Sequence, residues 1–256
     1  MTTQQNLKKV GKIVKYTSAK TDDKLIKDVS KKLFDYLEEE YIMFLPEGFS
    51  FEYTDIIDSG FISDIWHLNG ASIECMNHIN SLKTTNGNNT QFKPDGGFIF
   101  LKQVDENNNT VNFFPVICSE MKKQGTNPNQ AKGNAFERIN SSINMFNNVC
   151  RFSHISPYIA FCHGIDFIDQ SILSRLKGAS NIKNFDKINF IKNNDFNAIS
   201  IFTKEEPFTQ EELYNNCKNL VDKVMNYYIN NNFNKPITKN NTSFIKSFLN
   251  KIGSSL

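Results

Sequence analysis

Two apolar runs separated by a turn-rich spacer constrain this chain more than anything else in it. Phe98-Ile99-Phe100-Leu101 and Phe113-Phe114-Pro115-Val116-Ile117-Cys118 flank Asp105–Asn109, a stretch of turn chemistry. The pattern predicts strands from about Gly97 to Val104 and from Val111 to Lys122, joined as a hairpin. What lies at the ends of these strands is chemically specific. Asp95, in Lys93-Pro94-Asp95-Gly96-Gly97, opens the first run, and Glu120-Met121-Lys122 closes the second. Glu120 and Lys122 are two residues apart, so in a strand both point to one face and Met121 to the other.

Two carboxylates and a lysine brought together in this way suit a divalent metal and an activated water, the minimum chemistry for cutting a phosphodiester. Mg2+ takes hard oxygen ligands and keeps several waters. Asp95 and Glu120 are the expected ligands, with the Met121 backbone carbonyl and the scissile phosphate completing the shell. Such an ion stabilises charge on the phosphate and eases ionisation of water. Lys122 then orients and stabilises by its charge, or acts as a base where burial depresses its pKa. Each piece has a plainer reading. Pro-Asp-Gly-Gly is a common turn, and Glu-x-Lys at a strand end is often surface charge. From these residues alone the constellation defines a generic metal-dependent hydrolase.

The remainder of the chain supplies the layers around this hairpin. Residues 1–21 are polar and Lys-rich and read as a mobile arm, leaving 22–256 as one domain. A helix is expected from Thr21-Asp22-Asp23, with Leu25, Ile26, Val29, Leu33, Leu37 and Tyr41 at helical spacing, ending at Pro46-Glu47-Gly48. A less regular region follows to Gly70, with short helices at Ala71–Leu82 and Phe244–Ile252 and a loop at Thr85–Thr90. Gln124–Gly133 reads as a polar loop and Asn134–Val149 as a helix. Tyr158–Cys162 is a buried-type strand, Ile165–Leu176 a helix and Ala198–Phe202 a strand. A last helix starts after Thr209, a credible N-cap followed by Glu211 and Glu212 at the positive end. The order predicts an α/β domain of three layers, a mixed sheet flanked by helices.

Composition excludes some classes and leaves others open. A net charge of +2 argues neither for nor against nucleic acid. Lys8, Lys9, Lys12, Lys15, Lys20, Lys24 and Lys27 face only Asp22 and Asp23 in the N-terminal region. Lys235, Lys239, Lys246 and Lys251 lack acidic neighbours near the other end. Such runs are solvated surface or sequence-independent phosphate contacts. The cysteines at 75, 118, 150, 162 and 217 form no CxxC pair and no zinc spacing, which favours buried, reduced thiols in a cytoplasmic protein. No apolar run approaches the length of a membrane span.

Three blocks together resemble the EcoRI-like type II restriction endonucleases of the PD-(D/E)xK nuclease superfamily. They are Lys93–Gly97, Ser119-Glu120-Met121-Lys122-Lys123-Gln124-Gly125, and Gly133-Asn134-Ala135-Phe136-Glu137-Arg138, the most specific of the three. The resemblance covers roughly residues 90–180, and the blocks follow the family's chain order. The resemblance implies a restriction-endonuclease-like fold and the catalytic roles of Asp95, Glu120 and Lys122. It further implies that the third block lies before and at the start of a helix, where Asn134, Glu137 and Arg138 read an inner AATT. The side chains suit this, because Asn matches the adenine edge, Glu accepts from amino groups and Arg donates to purine acceptors. Lys123, Gln124 and Gly133 would contact the DNA backbone or shape the loops.

A weaker similarity at Ile172-Leu173-Ser174-Arg175-Leu176 makes Arg175 a reader of the outer base pair. Gly178 stands where the family has a second arginine, so the outer pair stays open. The implied protein is a Mg2+-dependent homodimer that cuts double-stranded DNA. It leaves 5′-phosphates and 5′ overhangs and works beside a methyltransferase of the same specificity. A structure-specific repair nuclease and a non-cleaving DNA-binding protein are the alternatives.

Overall fold

The computed structural model describes residues 6–9, 12–15, 19–68, 71–74, 77, 91–123, 128–150, 153, 155–164, 167 and 199–233. A short antiparallel hairpin, β1 (Asn6–Lys9) and β2 (Lys12–Lys15), lies in the segment read as an arm. Helix α1 (Ala19–Tyr41) begins within that segment too, three residues ahead of Asp22. The region expected to be irregular contains β3 (Phe49–Thr54), β4 (Ile57–Asp58) and α2 (Ser59–Leu68). β5 (Gln91–Phe92) pairs with β4. The hairpin read from the sequence is present as β6 (Gly97–Val104) and β7 (Thr110–Lys123).

Helix α3 spans Pro128–Val149, so it starts six residues before Asn134. Proline is well suited to open a helix, because its missing N–H is one that the first turn leaves unbonded anyway. An interior glycine such as Gly133 costs only about 1 kcal/mol. β8 (Tyr158–His163), β9 (Ile199–Lys204) and α4 (Gln210–Asn230) complete the described elements. Thr209 caps α4 in a reciprocal capping box with Glu212. The loop at 85–90, the 165–176 helix apart from Phe167, most of the 71–82 helix and the C-terminal helix lie outside the described residues.

The main sheet has the order β3-β6-β7-β8-β9. β6 runs antiparallel to both β3 and β7, and β8 and β9 continue parallel to β7. Each face carries a core. Ile62, Ile65 and Trp66 of α2 and Ile139, Ile143 and Phe146 of α3 pack on Phe98, Phe100 and Tyr158. On the opposite face, Ile26, Val29, Leu33 and Leu37 of α1 and Leu213, Leu220 and Val224 of α4 pack on Ile99, Leu101 and Phe161. This is the three-layer α/β architecture that the element order predicts.

A β-bulge decides which face the end of β7 presents. Ile99 pairs with Ile117 but Phe100 with Pro115, leaving Val116 as the extra residue. Val116 and Ile117 consequently both enter the α1/α4 core. From Cys118 onward the alternation is inverted relative to Phe113 and Phe114. Cys118 therefore joins the α2/α3 layer, and Met121 the other. Pro115 has no N–H to contribute to the ladder, which makes a bulge inexpensive at this place.

Candidate active site

Pro94-Asp95-Gly96-Gly97 is a tight turn closed by Gly97 N–H donating to the Pro94 carbonyl at 3.0 Å. Gly97 has φ of +79°, a conformation that glycine adopts at little cost. Gly96 is pressed between Ser119, Ile26 and Ser30, and an added Cβ would come within 2.8 Å of Ile26 Cγ1. Its N–H donates to the Ser119 carbonyl at 3.0 Å. Ser119 Oγ and Ser30 Oγ are hydrogen-bonded at 3.3 Å, which ties strand, turn and α1 together.

These constraints set Asp95 against the end of β7. The Asp95 N–H donates to Glu120 Oε2 at 3.0 Å, and the Met121 N–H donates to Asp95 Oδ2 at 3.1 Å. Lys122 Nζ donates to Asp95 Oδ2 at 3.1 Å and also to Glu120 Oε1. Ser142 of α3 donates to Glu120 Oε1 at 3.2 Å. Glu120 is 2% exposed and Lys122 7%, whereas the Asp95 side chain is 25% exposed. The pair is thus deeply placed, with Asp95 at the open side.

Burial pushes the Glu120 carboxyl above the usual glutamate range, and the charge of Asp95 adds to this, with Lys122 opposing both. Burial also pulls on Lys122 in the direction of the neutral amine. Glu120 and Asp95 together outweigh it, and the net direction is upward. Lys122 is therefore an ammonium held by two carboxylates. The sequence-based option of a lysine base, which required a depressed pKa, does not match this arrangement.

The donor set suits a hard divalent cation. Two carboxylates already share one positive charge, the Lys122 ammonium. Among the described residues no group of three or more His, Cys, Asp or Glu gathers into a cage.

Met121 buries its side chain in the opposite layer, as its position between Glu120 and Lys122 requires. Lys123 is half-buried at the end of β7, in register with His163 of β8. Asn134 and Gly133 lie on the backbone of α3, and Glu137 and Arg138 are exposed on it. These four residues sit inside the helix, not at its start, so the amides of its first turn lie nearer Pro128 than Asn134. Gln124 and Arg175 fall outside the described residues. Sequence reasoning missed Ser142, although a polar residue inside the Ile139–Ile143–Phe146 stripe marks a point where the helix meets something other than core. It missed Ser119 and Ser30 as well, whose partners are visible only once α1 is docked.

Residues 8–191 match the family of the restriction endonuclease EcoRI. The chain therefore belongs to the EcoRI restriction endonuclease family. Among solved structures, the pre-specific restriction endonuclease BsaWI bound to DNA is similar at 11% identity and a TM-score of 0.26. That likeness covers 78% of this chain and 60% of the BsaWI chain. No curated protein sequence matches the chain. Among the described residues, no helix is long and apolar enough to cross a membrane.

Proposed function

We propose that this protein is a type II restriction endonuclease that cuts both strands of a short palindromic DNA site containing AATT, with Mg2+ as its metal. The observation that carries the reading is the convergence of Asp95, Glu120 and Lys122 at the adjoining ends of β6 and β7. Asp95 and Glu120 would hold the ion, with the Met121 carbonyl as a third protein oxygen. The ion supplies charge stabilisation at the phosphate and eases ionisation of water. Lys122 brings a fixed positive charge to the place where phosphate charge builds up, already oriented by two carboxylates. Ser142 and the Asp95 N–H hold Glu120 in position, so little reorganisation is needed when substrate arrives.

Base reading falls to Asn134, Glu137 and Arg138 on α3, with Arg175 as a reader of the outer pair and Lys123, Gln124 and Gly133 as backbone-contacting or loop-shaping residues. The exposure of Glu137 and Arg138 supports this, since both are available to a groove while Ile139 anchors the helix. A palindrome is read most economically by a two-fold dimer, one half-site per subunit. The family analogy gives 5′-phosphate ends, AATT 5′ overhangs and a partner methyltransferase that protects host sites. Cys118, Cys150, Cys162 and Cys217 are buried free thiols, in keeping with a reducing cytoplasm.

Incubation of plasmid DNA with the protein in Mg2+ and in EDTA tests the whole reading. Discrete fragments are expected in Mg2+ alone, with AATT at their sequenced ends. A smear would mean a structure-specific or unspecific nuclease, and intact plasmid a protein that only binds. Arg138→Ala is expected to lower the preference for specific over random duplex by about 1–3 kcal/mol, roughly 5- to 150-fold, as the loss of a bidentate base contact does. Competition binding measures it. An equal loss on random DNA would mean that Arg138 touches only phosphate.

A further inference from the structure

The exposed face of α1 is sorted by charge along its axis. Lys20, Lys24, Lys27 and Lys31 are all exposed and fall at i, i+4, i+7 and i+11. At about 100° per residue they lie within roughly 60° of one another, on one stripe. Asp23 and Asp28 are exposed on the two borders of the stripe, and the far half of the helix is acidic, with Asp35, Glu38, Glu39 and Glu40 exposed.

This arrangement opposes what an isolated solvated helix prefers. Lys20–Lys24 and Lys27–Lys31 are like-charged i,i+4 pairs, which are destabilising. The macrodipole favours anions near the start of a helix and cations near its end, whereas the stripe puts cations in the first half and acids in the last. Asp22 and Asp23 do suit the helix start. Asp22, however, is buried against His163 Nε2 at 3.1 Å, and so is turned away from the stripe. Exposed Asp23 and Asp28 flank the stripe at i,i+3 and i,i+4 and offset part of this repulsion, so the four lysines remain the outward charges on that line, open to an anionic partner.

The basic half is also the half beside the catalytic turn. Ile26 and Ser30 lie against Gly96, and Ser30 bonds Ser119. On the helical wheel the stripe borders the flank bearing Ser30 and Asp23. Asp23 senses the charge of Asp95 on one side and of Lys27 on the other. The stripe thus passes beside the catalytic turn, which Ile26 and Ser30 touch, and extends along the helix to either side of it.

We propose that Lys20, Lys24, Lys27 and Lys31 form a second DNA contact, a track for the phosphodiester backbone of duplex flanking the cleaved site. The proposal rests on the DNA-cleaving reading above and extends it beyond the recognition sequence. It requires no base contact, so it adds affinity without adding specificity.

The test is the full chain carrying Lys20→Gln, Lys24→Gln, Lys27→Gln and Lys31→Gln together. Binding is measured without divalent metal across a salt series, on a duplex of about one site length and on one about three times longer. Each phosphate contact contributes roughly 0.9 to the slope of log affinity against log salt. On the long duplex the slope should fall by about 2 to 4, whereas on the short one parent and variant should coincide. Single-turnover cleavage at saturating protein should stay within about twofold of the parent, because no catalytic group is touched. The double reversal Lys24→Glu/Lys27→Glu, which changes the charge by the same four units, should weaken long-duplex binding to a similar extent while keeping helical circular dichroism. Unchanged slopes on the long duplex, or equal losses on both lengths, overturn the track and leave the nuclease reading intact. A parent protein that binds no duplex at all overturns both.

Discussion

Glu120→Gln protein is expected to cleave its site at least about a thousandfold more slowly than the parent while keeping its fold and most of its specific binding. The side chain keeps its size, and its one remaining oxygen can accept from Ser142 or from the Asp95 N–H, though no longer from both. What is lost is one of two negative charges available to a divalent ion, together with half of the environment that holds Lys122. Loss of metal-assisted charge stabilisation is worth several kcal/mol, and about 4 kcal/mol corresponds to a thousandfold in rate. Lys122→Ala should be comparably slow, because it removes the positive charge that both carboxylates orient.

A readout independent of cleavage accompanies this. Burial raises the Glu120 pKa, so ionised Glu120 works against the folded state as pH rises through that value. A bound cation offsets this cost, and Mg2+ should raise the melting temperature of the parent at neutral pH by mass action. The shift should vanish in Glu120→Gln and in Asp95→Asn. Near-parental cleavage by Glu120→Gln would remove the metal role from this glutamate, whatever else the protein does.

The parts of this site that were legible in the sequence are those with local causes. Strand periodicity alone places Glu120 and Lys122 on one face, and turn chemistry places Asp95 at the mouth of the neighbouring strand. Other features depend on partners that a linear reading does not contain. The bulge at Val116 exists only in the pairing with β6, yet without it Glu120 and Lys122 would face α1 and not α3. The ionisation of Lys122 could be read either way, since burial and carboxylate proximity push in opposite directions and only the distances decide between them. β3 did carry a signal, the alternation of Phe49, Phe51 and Tyr53 with Ser50, Glu52 and Thr54. The start of α3 was hidden because Asn129 and Gln130 and the interior Gly133 carry loop chemistry even though they fold as helix.

Gly96→Ala should lower the proposed cleavage nearly as much as loss of Asp95, Glu120 or Lys122, although Gly96 contributes no side chain. A Cβ there has no room: Ser119 Oγ occupies the space, with Ile26 Cγ1 at 2.8 Å and Ser30 Oγ at 3.0 Å. Overpacking at a buried point costs about 1–3 kcal/mol, and at the upper end this lowers Tm by roughly 6–12 °C for a chain of this size. The relief available is a shift of the turn away from α1 and β7, which carries Asp95 with it. The Asp95 N–H and Oδ2 would then leave Glu120 and Lys122, and the cleavage rate should fall by about a hundredfold or more, since misplacement of about 1 Å has that effect. Ser119→Ala alone, which removes only the hydroxyl, should be mild in both respects. Combined with Gly96→Ala it should restore part of the lost Tm and part of the lost rate, because the two substitutions meet at one point and are not additive. Strict additivity in that double-mutant cycle, or a Gly96→Ala protein with parental Tm and rate, would show that contact with Ser119 does not hold Asp95 in place. The Asp95 carboxylate would then have to be positioned by Gly97 and Tyr53 on the other side of the turn, where the positive φ of Gly97 and the Tyr53 hydroxyl, 3.5 Å from the Gly96 carbonyl, supply the remaining constraint.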